Sequence, residues 1–494
     1  MNERRYNIHI AAGGRELVAI DDFRLTESSL TVLLGESGIG KSLIARAIAG
    51  LLDPDELDVQ IDSRPYTEYL KRQETLEIRR DGFFVFQEPS SHLNPLMKLR
   101  EQLDEGSLAA APDDKQFLGR LWRDATESQI RNILEVYPKP YRPSGGEKQR
   151  ILAAMAFKKI STLDDAAPGT LFVFDEPTGN LDDKLRNEFL DLLAENMKNR
   201  RITVLLITHD YSLIGRLTRS YQAIAKRIVF EELVLHRGKL GLRRFEPEEY
   251  LSWLEERRAA TRAPVKRESV VTLKSGPRVF GRTLIFSSDP NGQRQVPFEV
   301  RRGSLTYLKA PSGTGKTTVV KMMMGLVKPE HMSMSLGDAT YTEHTPRRTW
   351  QKQVWGRRMT MVFQHADEAL NQNAKVRDVF AGLPSSRFHN DDTLRQALSE
   401  FFDLESDFLE KPVKHLSGGQ KQRLNLLRCL TLETDLVIMD EPLNGLDFST
   451  AVKVLKQIEE RLQAGRSVLV ISHNEEIFDA LVPSENVYYL TASV

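Results

Sequence analysis

The chain has 494 residues, 40% of them hydrophobic and 28% charged, with 69 basic side chains against 69 acidic ones. That length exceeds one ordinary core and implies at least two domains, while the composition is that of soluble globular protein. The balanced charge argues against broad electrostatic binding to nucleic acid. One cysteine, Cys429, excludes an internal disulfide framework, a four-cysteine zinc site and a cysteine-ligated iron–sulfur cluster. It lies in RLNLLRCLTL and reads as a small core residue.

The start, MNERRYNIHI, has no apolar stretch of the kind that marks a secretory leader. The longest apolar runs are strand-sized, and none approaches the roughly 20 residues needed to span a bilayer. The expectation is a cytoplasmic protein whose membrane role, if it has one, runs through a partner.

LTVLLG (30–35) is apolar throughout and reads as a buried strand. It runs into GESGIGKS (35–42), which fits G-x-x-x-x-G-K-[ST] in full, and then into the helical pattern KSLIARAIAGLL. Gly35, Gly38 and Gly40 allow backbone N–H groups to close around phosphate oxygens. Glu36, Ser37 and Ile39 complete the loop, Lys41 neutralises the outer phosphates, and Ser42 supplies a hydroxyl for Mg²⁺. The following helix aims its N-terminus at the same anion. Downstream, PSGGEKQR (143–150) places Ser144, Gly145 and Gly146 before a basic helical stretch, a second helix N-terminus suited to phosphate. LFVFDE (171–176) then leaves Asp175 and Glu176 at the end of a buried strand. Adjacent carboxylates there are costly unless something uses them, and open α/β sheets bind ligands at that edge. The first can hold Mg²⁺ and the second can polarise an attacking water. ITVLLITH (202–209) is a further buried strand, ending at His209.

The segment 246–268 is charged and loses its apolar pattern after Leu254. It reads as a helical end to a first domain (1–245), followed by a solvated connector around Ala263–Pro264. A second domain (269–494) repeats the order. APSGTGKT (310–317) carries Pro311, Ser312, Gly313, Thr314, Gly315, Lys316 and Thr317, with Ala310 where the first loop has glycine. Alanine is tolerable if φ is negative there. LSGGQKQR (416–423) supplies Ser417, Gly418, Gly419 and Gln420, LVIMDE ends in Asp440 and Glu441, and SVLVISH ends in His473. Lys41 and Lys316 are 275 positions apart, Gln87 and Gln364 are 277, and His209 and His473 are 264. A near-constant offset is an internal duplication. Strand–loop–helix order in each half implies parallel sheets and an α/β fold.

This ordered set resembles the ATP-binding cassette (ABC) family: phosphate loop, glutamine loop, signature, acidic strand, aspartate loop and switch histidine. The resemblance covers both halves. It implies two tandem P-loop NTPase cassettes, each with a mostly parallel sheet core and a helical subdomain. By resemblance, Gln87 in FVFQEP and Gln364 in MVFQHA sense Mg²⁺ and a transmembrane partner. Asp182 in GNLD and Asp447 in NGLD are the aspartate loops, and His209 and His473 contact the γ-phosphate. Ser42, Gln87 and Asp175 would serve one Mg²⁺, and Thr317, Gln364 and Asp440 another, with Glu176 and Glu441 as the catalytic carboxylates that activate water. The two cassettes would pair within the chain, each ATP meeting one loop and the signature of the other half.

A narrower resemblance is to the peptide/nickel importer ATPases. VFQEPSSHLNPLMKLREQL (85–103) is similar to their glutamine-loop region, and Pro140 stands shortly before the signature as in theirs. The second half departs, with Gln372 in place of proline, and the fused chain lacks their cysteine-bearing extension. The implied partners are integral-membrane permease subunits and, as a further candidate, a solute-binding protein. No direct nucleic acid partner is expected. The implied location is peripheral, on the cytoplasmic face of the inner membrane. A ribosome- or DNA-directed cassette protein, a fused sugar-importer ATPase and a partner of a phosphonate-degrading complex stand as alternatives. In the first signature Pro143 and Glu147 replace the usual Leu and Gln. A carboxylate at 147 close to ATP phosphates is expected to weaken the site of the second loop, unless it points away. Phe286 is a candidate for adenine stacking, with a buried strand residue as the competing reading.

Overall fold

In the computed structural model the described residues are 2–104, 115–122, 125–137, 143–163, 170–179, 181, 183–236, 239–260, 268–274, 276–311, 313–383, 388, 390–402 and 404–493. The chain divides into two compact units, Met1–Tyr250 and Leu251–Val494. The division falls within the helix Pro247–Ala260. On the second unit's side of it, Trp253 sets its ring edge-on to Phe448 at 5.6 Å and Arg257 pairs with Glu459. Asp182, Pro140, Ser312 and the expected connector at Ala263–Pro264 lie outside the described residues.

The apolar runs of the first half form the centre of a six-stranded sheet. Its order is Lys239–Arg244, Ile228–His236, Leu30–Gly35, Thr203–Ile207, Leu171–Asp175 and Phe83–Val85. All neighbours are parallel except the first pair. The three central strands are buried along their whole length, because helices cover both faces. A smaller antiparallel sheet joins Arg15–Thr26, Glu3–Ala12, Asp58–Ile61 and Arg64–Pro65. Its strand Glu3–Ala12 alternates, burying Tyr6, Ile8 and Ile10 against Ile44 and Ile48 of the helix after the loop.

The second unit repeats this plan. Leu305–Lys309, Ser467–Ile471, Leu436–Asp440 and Met359–Val362 are parallel neighbours in a seven-stranded sheet, which Val487–Ser493, Arg282–Ser287 and Arg278–Val279 extend on the other side. Its small antiparallel sheet is Phe298–Arg301, Ser269–Leu273, Ser333–Leu336 and Ala339–Thr342. In each unit a helix begins at the Ser-Gly-Gly segment: Gly145–Thr162 and Gly418–Leu430. Helices Leu99–Asp104, Lys115–Leu121 and Glu127–Leu134 accompany the first, and Asp391–Ser399 the second. No helix among the described residues is long and apolar enough to cross a membrane.

The first unit locks its long helix to its acidic strand through aromatic packing. Phe174 lies 5.9 Å from Phe157 and 5.3 Å, edge-on, from Phe189, and all three are fully buried. Phe174→Ala should therefore destabilise this unit by about 3–5 kcal/mol, read as a lowered denaturant midpoint. A loss under about 1 kcal/mol would show that the cluster relaxes into the space.

Candidate active site

The two phosphate loops are built by glycine geometry. Gly38 and Gly40 have φ of 79° and 115°, and Gly313 and Gly315 have 77° and 109°, values that L side chains rarely adopt. A Cβ at Gly38 or Gly313 would meet nothing within 4 Å. The need for glycine there is conformational rather than a matter of space. Gly35 differs. Its φ is 141°, and a Cβ would lie 2.7 Å from the Leu233 carbonyl oxygen. Ala310, at the matching position, has no positive φ, which is why a methyl group is accommodated.

Each loop leads into a helix, Lys41–Ile48 or Lys316–Met323, whose first N–H groups face the loop. Lys41 Nζ donates to the carbonyls of Gly35 at 2.7 Å and Glu36 at 2.8 Å, and Lys316 Nζ donates to that of Ala310. Burial holds the Lys41 ammonium below its ordinary pKa, against the pull of Glu176, Asp175 and Glu36.

The strand ends bring the acids to these lysines. Ser42 donates to Asp175 Oδ1 at 3.0 Å, and Thr317 hydrogen-bonds Asp440. The second oxygen of each aspartate, Oδ2, is buried with no hydrogen-bond partner. Burial raises both pKa values, so each carboxylate is under-compensated as the site stands. A hydroxyl, a carboxylate with an orphaned oxygen and a phosphate loop form an all-oxygen donor set that fits Mg²⁺.

Glu176 and Glu441 follow their strands with φ of 48° and 51°. Positive φ is uncommon for a residue with a side chain, and such strain clusters at functional sites. Backbone bonds hold the bend: Glu176 N–H donates to Ile207 O at 3.0 Å and Glu441 N–H to Ile471 O at 2.9 Å. That ties each acid to the strand carrying the histidine. In the first unit His209 Nδ1 lies 2.8 Å from Glu176 Oε1, and Gln87 donates to Oε2 at 2.9 Å. Burial pushes the Glu176 carboxyl up, but His209, Lys41 and Gln87 together hold it below its ordinary value. Burial alone would lower the His209 imidazole, yet Glu176 raises it. The second unit is arranged differently. Glu441 Oε2 accepts from Ser472 Oγ and from His473 N–H, both at 3.1 Å, and the His473 ring lies 3.5 Å from Oε1. Burial pushes the Glu441 carboxyl up to about 7. Gln364 follows its strand as Gln87 does, but among the described residues it is Gln87 whose amide reaches the acid.

Ser144 and Ser417 are helix N-caps with a full capping box. Ser144 N–H donates to Glu147 Oε2 at 2.7 Å and Ser417 N–H to Gln420 Oε1 at 2.9 Å. Glu147 therefore does what Gln420 does, and its carboxylate is turned back onto its own helix start. The expectation that it burdens a phosphate loses its physical basis. Phe286 is buried, 4.9 Å from Phe298, and is a core residue. Cys429 is likewise buried. Sequence reasoning did not single out Ser472, nor Lys148 and Lys421. These lysines tie the signature helices to Ser90 and Asp367, just beyond the glutamine loops, at 3.0 Å each. The recurrence of lysine after SGG-x in both halves was the available signal.

The family profile described as ABC transporter matches residues 19–179 and 293–444, which together make up more than half of the chain. The chain belongs to the ABC transporter family. It carries two cassettes and is an ABC-type ATPase. Its relatives include the glutathione import ATP-binding protein GsiA of Escherichia coli, 25% identical over 95% of this chain and 81% of that protein. The peptidoglycan transport ATP-binding protein YejF of Agrobacterium fabrum is 25% identical over 97% of this chain and 89% of that protein. Among solved structures, the RNase-L inhibitor superposes with a TM-score of 0.63 at 17% identity, covering 98% of this chain and 89% of that one, a likeness of fold.

Three substitutions test the loop and signature geometry in this ABC chain. Gly35→Ala should weaken ATP binding at the first cassette by about 1–3 kcal/mol through backbone strain, while Ala310→Gly should change the second by under about 1 kcal/mol. Calorimetric titration with ATP separates them, and equal effects would contradict the assigned backbones. Glu147→Gln keeps an acceptor for Ser144 N–H and should leave ATP affinity unchanged within about twofold. A clear gain in affinity would place its charge at the nucleotide.

Proposed function

We propose that each cassette binds Mg²⁺–ATP at its loop and hydrolyses it, and that this cycle powers a separate membrane permease importing a peptide, nickel or a related small solute. The observation that carries the chemistry is that each unit gathers a loop lysine, two strand-end carboxylates and a histidine at the end of the neighbouring strand. Lys41 and Lys316 exchange their loop carbonyls for the outer phosphate oxygens. Ser42 with Asp175, and Thr317 with Asp440, would hold Mg²⁺, aided by Gln87 and Gln364. When bound, the ion neutralises charge on the β- and γ-phosphates. Water attacks the γ-phosphorus as its bond to the bridging oxygen breaks. The water proton passes to Glu176 or Glu441, and ADP leaves with the bridging oxygen. His209 and His473 orient the acid and the γ-phosphate, and the capped starts at Ser144 and Ser417 offer further N–H groups to phosphate.

The import reading draws on GsiA and YejF, whose names are those of import and transport ATP-binding proteins. It places the chain on the cytoplasmic face of the inner membrane. The segment after Gln87 is the expected permease contact, since Leu96 there is 79% exposed.

Glu176→Gln and Glu441→Gln should each lower ATP turnover, and together they should nearly abolish it, since a lost general base costs ~10²–10⁴-fold. ATP should still bind. Parental turnover in the double variant would remove these acids from the mechanism. For the partner, the chain should sediment with membranes only when its permease is present, and Leu96→Asp should reduce that association. ATP-dependent sedimentation with ribosomal particles would replace the transport reading with a translational one.

A further inference from the structure

In the second cassette the catalytic acid is held from behind. Glu441 Oε2 accepts from the Ser472 hydroxyl at 3.1 Å. A hydroxyl has one hydrogen to give, and here it goes to the carboxylate. Ser472 is itself fixed at two points. The Tyr307 hydroxyl donates to the Ser472 carbonyl oxygen at 2.8 Å, and Asn474 N–H donates to Ser472 Oγ at 3.1 Å. Tyr307, Ser472 and Glu441 are 0%, 4% and 6% exposed, so water competes little for these bonds.

Among the described residues, the first cassette has no such support. The sheet register matches Tyr307 to Val32: Tyr307 pairs with Val470 and Val32 with Leu206, each partner three residues before its switch histidine. Valine has no hydroxyl to give. Thr208 stands in the place of Ser472, and its oxygen accepts from Asp210 N–H at 3.0 Å. Glu176 is oriented instead by Gln87 and His209, the two side chains that also belong to the nucleotide site.

We infer that Ser472 and Tyr307 are positioning residues for Glu441, so that the second cassette orients its acid through a buried chain, Tyr307 to Ser472 to Glu441, that has no counterpart among the described residues of the first. Tyr307 fixes the Ser472 backbone. The Ser472 hydroxyl then fixes Oε2, which leaves Oε1, 3.5 Å from His473 Nε2, to take the proton from water. Tyr307 lies on the strand Leu305–Lys309, which runs straight into the second phosphate loop. The chain therefore sets the acid relative to the loop without using Gln364. The inference rests on the proposed reading of Glu441 as the proton acceptor.

The test is steady-state ATP turnover in the native chain and in the Glu176→Gln chain, where remaining turnover belongs to the second cassette. Ser472→Ala should lower kcat roughly five- to tenfold in at least one of these backgrounds, with the KM for ATP within about twofold, as expected when one orienting hydrogen bond is lost. Tyr307→Phe keeps the ring packing and should lower kcat roughly threefold. Ser472→Thr should restore kcat to within about twofold. Thr208→Ala should leave kcat within about twofold in the native chain, because that hydroxyl does not serve the acid. Unchanged kcat in both Ser472→Ala and Tyr307→Phe, or a rise in KM alone, overturns the inference. Adding Glu441→Gln in the Glu176→Gln chain separates the two ideas. If it stops turnover while Ser472→Ala does not, only the positioning role fails; if it leaves turnover intact, the reading of Glu441 fails and the inference with it.

Discussion

Each cassette is organised around an ammonium group buried at the carboxyl edge of a parallel sheet. Lys41 is 4% exposed and Lys316 is 8%. A charge in that position must be compensated by its surroundings. The loop carbonyls supply part of the compensation, and the carboxylates at the adjacent strand ends supply the rest. Those carboxylates are themselves buried, and their unpartnered oxygens leave room for one more cation. The sheet order, the bend after each acidic strand and the glycine loop all follow from holding these charges at contact distance. In the proposed reading, a nucleoside triphosphate with its divalent ion completes the set.

The strain at Glu176 and Glu441 fits the same picture. Turning a strand end into a positive φ costs on the order of 1–3 kcal/mol, and both units bear it at the same residue. The bend carries the glutamate across to the neighbouring strand, where the histidine begins. The two units share this backbone and differ in what then grips the carboxylate. One uses Gln87 and His209, and the other adds a buried serine and tyrosine. Two copies of one fold thus hold the same acid in different electrostatic settings, with Glu176 pulled down and Glu441 pushed up.

Much of this was legible in the chain. LTVLLG, LFVFDE and LVIMDE read as buried strands, and Leu30–Gly35, Leu171–Asp175 and Leu436–Asp440 are strands. Their apolar runs bounded by glycine or by paired acids leave little choice. The Ser-Gly-Gly segments read as helix starts and are capped helix starts, since the capping box is a local pattern. What escaped was non-local. The antiparallel sheets rest on the alternation in RYNIHIAA, which signals a strand but not its partner. The support of Glu441 joins residues 307, 441 and 472, and no spacing rule links them. The role of Glu147 turned on one rotamer. A carboxylate at a helix start can face a ligand or its own N-cap, and composition cannot decide between them.

In the proposed reading, each of the two loops binds one Mg²⁺–ATP. The direct measurement is the number of ATP molecules bound per chain by the variant carrying both Glu176→Gln and Glu441→Gln, determined by equilibrium dialysis with and without Mg²⁺. The account predicts two per chain with Mg²⁺, and weaker binding without it. One molecule per chain at saturation, or binding indifferent to Mg²⁺, would contradict it.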